Sequence, residues 1–322
     1  MQPEDARQMV DSAVRVDRMK IGMAKDYILT NFQESIPSLI EAFVRQQGFA
    51  DAPRVVINPS LELARPVHDA AEYIAWRLAL CEAVWGLIHA GLLVPKTSGL
   101  WEPPMNVGWT TVVGNSGGMS SSWQFHSCHV PNYVTLSPSA KYGGVDPLAD
   151  SDLYLRDIGV PDMHPEVDES LRSAVQCFRG ELYLPALVML ARAVEGAWLE
   201  LGRALVDATP SHAGKEGVEF AKAMSEQEIS LARLIAAVRA YYERRDLWKD
   251  AWTRSGVPGV QINGAAIWSD HVRVRRNVIH YDNMERYPYT YETVATLLLA
   301  ATQHLRVIYG ARRALLLLAS SP

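Results

Sequence analysis

The segment HVRVRRNVIHYD, residues 271–282, contains three arginines, an asparagine and a histidine within eight positions. If this segment is helical, four of these residues lie at positions i, i+3, i+4 and i+7 and share one face: Arg273, Arg276, Asn277 and His280. Arg275 would point elsewhere. A face with guanidinium groups, an amide and an imidazole suits phosphate chemistry, because it offers fixed positive charge and one group that titrates near neutral pH.

The elements that must position this segment are helices. From Pro165 onward the apolar residues recur at helical spacing and predict four or five helices. Glu166–Phe178 and Leu182–Leu205 form a pair or one long helix around Gly180, and the others are Val218–Arg245, Asp270–His280 and Tyr291–Leu318. A loop rich in Gly and Pro is predicted at 255–264. Helices joined by short loops predict an antiparallel bundle over residues 165–322.

This half of the chain resembles the HEPN superfamily, the higher eukaryotes and prokaryotes nucleotide-binding domain. Its signature is an arginine separated by four to six residues from a histidine, and both Arg275 and Arg273 meet it with His280. The run from Arg276 through Asn277 to His280 is similar to the version common in bacterial members. Upstream, Glu195 takes the place of a glutamate on a helix rich in small residues. The resemblance covers roughly residues 165–318.

The resemblance implies metal-independent RNA cleavage without a cofactor. The ribose 2′-hydroxyl would attack the adjacent phosphorus in line, while His280 moves a proton to or from that hydroxyl or the leaving 5′-oxygen. Arg273 or Arg275 would stabilise charge in the transition state, and Asn277 would orient the histidine or a phosphate oxygen. The products would carry 2′,3′-cyclic phosphate and 5′-hydroxyl ends.

Two residues have supporting roles in this scheme. Glu195 would hold the catalytic arginine, and Arg276 directly follows Arg275. The residue after Arg275 departs from the family pattern, because it is Arg276 and not a small polar residue. The identity of the catalytic arginine therefore stays open. Members of the family usually bring two motifs together across a dimer, which implies a homodimer acting on RNA. Toxins and phage-defence effectors are similar proteins, and an antitoxin or regulatory partner would then control the activity.

A non-catalytic interpretation is the alternative. Arg273, Arg276 and His280 would then form ion pairs inside the bundle with acidic neighbours: Glu195, Asp270 or Asp282. The chain would be a nucleic-acid-binding, regulatory or scaffold dimer with an inactive bundle.

The first half of the chain has a different composition. Apolar spacing predicts two helices within residues 8–47 and one long helix over Asp69–Ala90, with a short strand and a loop at 51–66 between them. Residues 101–147 are rich in Gly, Ser, Pro and Thr and predict a sheet of two or three strands. This order resembles a winged helix. The predicted fold is mainly α, with an α+β winged-helix-like domain at 1–145, a linker at 146–164 and the bundle at 165–322.

Composition limits the function classes. The formal net charge is −5, which excludes a generally cationic protein that coats nucleic acid. Residues 1–150 hold 11 basic and 15 acidic side chains, and this balance counts against DNA binding by the first domain. Three cysteines without a CxxC pair favour a reducing compartment, so we expect a cytoplasmic protein. The sequence predicts no secretory signal and no membrane anchor.

Other patterns are weaker. The run HSCH offers His126, Cys128 and His129 as metal ligands, but a structural zinc site needs four and the sequence has no second pair nearby, so no metal site is predicted. The glycines at 114–118 are typical of a hairpin or wing turn. The tyrosines Tyr287, Tyr289 and Tyr291 could stack on a base, although packing against the bundle is the favoured interpretation.

Overall fold

The computed structural model describes residues 2–58, 63–96, 99–112, 118–226, 229–277 and 289–320. The fold is mainly α, as predicted. The chain divides into two compact units, Met1–Asp146 and Pro147–Pro322. Among the described residues, the helices are all too short or too polar to cross a membrane.

The first unit combines helices with short strands. Its elements in chain order are α1 Pro3–Ala13, α2 Arg18–Thr30, α3 Ile36–Gln46, β1 Arg54–Ile57, α4 Ala64–His89, β2 Leu93–Pro95, β3 Leu100–Trp101, β4 Asn106–Thr111, β5 Ser120–Gln124, β6 Val130–Pro131, β7 Val134–Leu136 and α5 Pro138–Gly143. Three helices stand where two were predicted at 8–47, because Asp17 and Ser35 each cap a new helix with their side chains.

The long helix α4 is the core element of the first unit. It begins five residues before the predicted Asp69, since Pro66 lies in its first turn, where the missing N–H of proline costs nothing. Gly91 ends it with a positive φ of 72°. Most of its apolar side chains are buried, and α1, α2 and α3 pack against it.

Three small sheets complete the described part of the first unit. The largest has the order β1-β4-β5, in which β4 pairs antiparallel with β5 and parallel with β1. Parallel neighbours need a crossover connection, and α4 lies in the chain between β1 and β4. The antiparallel pairs β2-β7 and β3-β6 form the other two sheets.

The second unit is helical over its described residues. Its elements are a 3-10 turn Pro147–Ala149, α6 Ser151–Ile158, α7 Pro165–Arg179, α8 Tyr183–Ala208, a 3-10 turn Ser211–Ala213, α9 Gly214–Met224, α10 Leu231–Tyr242, α11 Arg245–Ser255, α12 Gly259–Arg276 and α13 Tyr291–Ala319. The long helix α8 is its centre, and α7, α10, α12 and α13 pack around it.

The predicted linker 146–164 contributes to the core of the second unit. Asp150 caps α6 by accepting hydrogen bonds from two backbone amides of its first turn. Tyr154 and Ile158 are fully buried, and the Tyr154 hydroxyl donates to the Leu298 carbonyl of α13 over 2.7 Å. This segment therefore packs as part of the bundle.

Two predicted features of the bundle are wrong. The single helix expected at Val218–Arg245 is divided into α9, α10 and the start of α11, since Ser230 caps α10 with its side chain. The loop expected at 255–264 is partly helical, because α12 begins at Gly259, directly after Pro258. Its buried face uses small residues such as Ala265, Ala266 and Ser269, which weakened the apolar pattern in the sequence.

Candidate functional site

A buried hydrogen bond positions α12 against the central helix. The indole Nε1 of Trp198 on α8 donates to the Ser269 hydroxyl over 2.8 Å, and that hydroxyl donates to the Ala265 carbonyl over 2.7 Å. Both side chains are fully buried. Because α12 is held here, its last two turns, which begin after Ser269, project from a fixed point of the bundle.

The arginines of the predicted motif lie in the last turn of α12. Arg273, Arg275 and Arg276 precede Asn277, the residue at which the helix ends. Cations at the C-terminal end of a helix are favoured by the helix dipole. His280 belongs to residues 278–288, which lie outside the described residues, so the face that it was predicted to share with Arg273 remains a prediction.

Arg273 is paired with an acidic neighbour one turn earlier. Its guanidinium Nε and Nη2 each lie 2.7 Å from Asp270 Oδ1. The Arg273 side chain is 27% exposed and that of Asp270 56%. A pair this exposed is worth at most about 1 kcal/mol, so it orients Arg273 more than it stabilises the fold.

Arg275 faces an open groove of about 330 Å³ between α12 and α13. The groove is lined by His271, Arg275, Glu292, Thr293, Thr296 and Leu297. His271 and Arg275 are one helical turn apart and meet here as an i, i+4 pair. We call this space the α12–α13 groove. It places Arg275 beside space large enough for a small ligand.

Arg276 and Asn277 are both half-buried. The Arg276 Nε is buried and has no hydrogen-bond acceptor within the described part of the chain. A buried donor without an acceptor is costly, and this holds especially for a charged group.

Glu195 is half-buried on α8, one turn before Trp198. Over the described ranges, no ion pair joins its carboxylate to Arg273, one of the two arginines that it was expected to hold, or to Arg276, which the non-catalytic interpretation would pair with it. Its supporting role stays a prediction.

His271 is the site residue that the sequence argument missed. It is exposed, and it lines both the α12–α13 groove and a second groove between α10 and α12. Its spacing of four residues from Arg275 was the signal that could have found it, because residues at i and i+4 share a helix face. Arg275 lies off the helix face that Arg273 and Arg276 share, and His271 lies on the same side as Arg275.

The carboxylate of Glu292 is held at the start of α13. Hydrogen bonds from its own backbone amide and from the Thr290 hydroxyl lower the pKa of Glu292. The groove therefore carries a carboxylate on the α13 side and an arginine and a histidine on the α12 side.

The HSCH run of the first unit has a thiol contact. A hydrogen bond between the Cys81 and Cys128 thiols lowers the pKa of Cys128 and, together with burial, raises that of Cys81. Among the residues that the structure describes, His, Cys, Asp and Glu side chains do not gather into groups of three or more suited to a metal ion.

The tyrosines after the motif divide between described and undescribed residues. Tyr291 packs on Phe178, with ring centroids 5.0 Å apart, and on Tyr183, at 6.4 Å. Its ring is thus used in bundle packing, although the side chain is 52% exposed. Tyr287 lies outside the described residues.

Comparison of the chain with protein-family models, with curated proteins and with solved structures gave no match.

Proposed function

We propose that the protein is a metal-independent endoribonuclease of the HEPN type, with its site on the second unit. The observation that carries this proposal is the position of the arginines. Arg273, Arg275 and Arg276 end α12 directly before the segment that contains His280, and one of them, Arg275, faces an open groove.

The proposed reaction needs no group beyond these side chains. The 2′-hydroxyl of the RNA attacks its own 3′-phosphorus, His280 takes or delivers the proton, and the 5′-oxygen leaves. An arginine stabilises the charge that grows on the non-bridging oxygens. Asn277, at the end of α12, orients the phosphate or the histidine. The products carry 2′,3′-cyclic phosphate and 5′-hydroxyl ends.

We assign charge stabilisation to Arg275. Arg275 lines the α12–α13 groove and Arg273 does not. A phosphate bound in that space would therefore meet the guanidinium of Arg275. Arg276 and Glu195 remain supporting residues in this proposal.

The rest of the proposal concerns the whole protein. Two copies would associate as a homodimer in the cytoplasm and bring two motifs together. The first unit, for which the sequence predicts a winged-helix-like domain, would sense a signal or restrain the nuclease. A toxin or phage-defence effector controlled by an antitoxin fits this organisation.

A second candidate is a non-catalytic nucleic-acid-binding, regulatory or scaffold dimer. The Arg273–Asp270 pair favours it, because that interpretation predicts an ion pair between Arg273 and an acidic neighbour. It differs from the first candidate in having no activity to lose.

RNA cleavage in the presence of EDTA tests the nuclease. Purified wild-type protein, His280→Ala and the control His212→Ala are incubated with total RNA and tRNA, and the new ends are mapped. His212 is an exposed histidine in the 3-10 turn Ser211–Ala213, away from α12.

The proposal expects cyclic-phosphate ends from the wild type and from His212→Ala, and none from His280→Ala. Intact RNA with all three proteins, each shown to be folded by circular dichroism, would leave the non-catalytic candidate.

A further inference from the structure

A second groove lies on the opposite side of His271, between α10 and α12. Its volume is about 280 Å³, and it is lined by Ala232, Ile235, Ala236, Arg239, Ala266, Ile267, Asp270 and His271. We call it the α10–α12 groove. The small side chains of Ala232 and Ala236 leave the space open between the two helices.

Arg239 is the distinctive residue of this groove. Its Nη1 donates to the Asn263 side chain of α12 over 3.2 Å, which is a bond to a neutral group. Its Nε is buried and meets no acceptor within the described residues, and no carboxylate there forms an ion pair with it. A partly buried guanidinium without a carboxylate partner favours an anionic ligand, because an uncompensated charge and donor are costly.

The other charged groups around the groove leave its balance positive. Among the described residues Asp270 is the one acid that lines it, and Asp270 is paired with Arg273 at 2.7 Å. On α10, Arg233 is directed to Glu226 at 3.3 Å and does not line the groove. Arg239 therefore supplies positive charge that the described carboxylates do not balance.

The two grooves adjoin at His271, which lines both. Together they follow α12 from Arg239, past His271, to Arg275 at the end of the helix. Along this path the guanidinium groups of Arg239 and Arg275 stand on either side of His271, with the carboxylates of Asp270 and Glu292 on the groove walls. Guanidinium groups spaced along a groove can bind successive phosphates of a single strand.

We propose that the α10–α12 groove is a subsite for the RNA backbone, in which Arg239 and His271 bind another phosphodiester of the strand that is cleaved. This rests on the proposed ribonuclease, and it names the path of the strand away from Arg275. Arg239 would donate to non-bridging oxygens with its guanidinium, and His271 would donate a hydrogen bond between the two grooves.

Binding of an uncleavable RNA tests the subsite separately from cleavage. The probe is a fluorescent single-stranded RNA with 2′-O-methyl riboses, which cannot undergo 2′-hydroxyl attack, and its affinity for the full chain is measured by anisotropy at several salt concentrations. The variants are Arg239→Gln, Arg239→Lys and His271→Gln. Arg233→Gln is the matched control, because it removes an exposed arginine from the same helix outside the groove.

We expect Arg239→Gln to weaken binding about 10-fold and to reduce the salt dependence by about one released counterion, as expected for one lost phosphate contact. Arg239→Lys keeps the salt dependence, since it keeps the charge. His271→Gln, an exposed position, weakens binding without affecting thermal stability. Arg233→Gln binds as the wild type does.

Three results would overturn the subsite: no RNA binding by the wild type, wild-type affinity of both Arg239→Gln and His271→Gln, or an equal loss in Arg233→Gln. Inorganic phosphate is the comparison ligand, and a loss of phosphate binding in Arg239→Gln with unchanged RNA binding would also overturn it.

If the wild type binds RNA through Arg239 yet cleaves none, the subsite stands and the nuclease fails. If Arg239→Gln and His271→Gln both bind and cleave RNA as the wild type does, the nuclease stands and the subsite fails.

Discussion

At the scale of the residue, Arg273 and Arg275 are two positions apart but have different surroundings. Arg273 is paired with Asp270, and Arg275 faces the α12–α13 groove with His271. The sequence alone presented both as equivalent matches to His280. The two arginines differ in their neighbours on α12, and the spacing to His280 did not reveal this difference.

The two arginines should therefore differ in their effect on rate. Arg275→Gln is expected to lower kcat by about 10²–10³-fold, the cost of removing one donor to developing charge. Arg273→Gln is expected to lower it less than about 10-fold. Single-turnover formation of cyclic-phosphate ends measures both, and a larger loss in Arg273→Gln would reverse the assignment.

His304 on α13 gives the bundle a pH dependence. Its ring stacks on Trp268 with centroids 5.0 Å apart, and burial lowers the pKa of His304 from its ordinary value of 6.5. The folded protein thus holds this imidazole neutral, while the unfolded chain takes up a proton more readily. The contribution to stability is present above pH 6.5 and is lost as the pH falls through the lower pKa of the folded state.

His304→Gln should accordingly flatten the fall in Tm between pH 7.5 and pH 5, about the range in which imidazole groups titrate. Equal slopes for the wild type and His304→Gln would show that His304 is not responsible.

At the scale of the element, α7 and α8 are held together at one close approach. A Cβ on Gly196 of α8 would lie 2.5 Å from Cγ2 of Val167 on α7. Val167 is buried and β-branched, so its methyl group has little freedom to move. Gly264, inside α12, has open space around the same position.

Gly196→Ala and Gly264→Ala should consequently have opposite effects. We expect the first to lower the free energy of unfolding by about 1–3 kcal/mol through overpacking. The second should raise it by about 0.5–1 kcal/mol, because alanine is the better helix former. Urea unfolding measures both. Adding Val167→Ala should relieve part of the Gly196→Ala loss, and a stabilising Gly196→Ala would contradict the packing.

The sequence predicted best those helices that bury large apolar side chains. The bounds of α7 and α13 agree with the predicted helices within one or two residues, because large apolar side chains recur along them. The start of α12 and the division into α9, α10 and α11 were missed, since caps such as Ser230 and small buried residues such as Ala265 leave a weak pattern. The grooves beside His271 are lined by side chains from different helices. Contacts between helices do not appear in a local sequence pattern, so the sequence did not predict the grooves.

At the scale of the whole molecule, the second unit begins at Pro147 and not at residue 165. The 3-10 turn Pro147–Ala149 and α6 bring Leu148, Tyr154 and Ile158 into its core. A chain without them would expose the surfaces of α7 and α13 that they cover.

Two fragments test this boundary. Residues 147–322 should fold and unfold cooperatively, as judged by circular dichroism. Residues 165–322 should be largely unfolded, because losing three buried apolar side chains costs more than about 5 kcal/mol, which is comparable to the stability of a domain. Equal stability of the two fragments would show that 147–164 is a linker after all.

The central claim is that this bundle cleaves RNA by attack of the 2′-hydroxyl. The most direct measurement uses an RNA oligonucleotide that the wild-type protein cuts at a mapped position, and the same oligonucleotide with a single 2′-deoxyribose before the cut. The account predicts a 2′,3′-cyclic phosphate from the first and no cut at that position in the second. Cleavage of the deoxy-substituted strand at the same phosphodiester would contradict it, because the proposed nucleophile would then be absent.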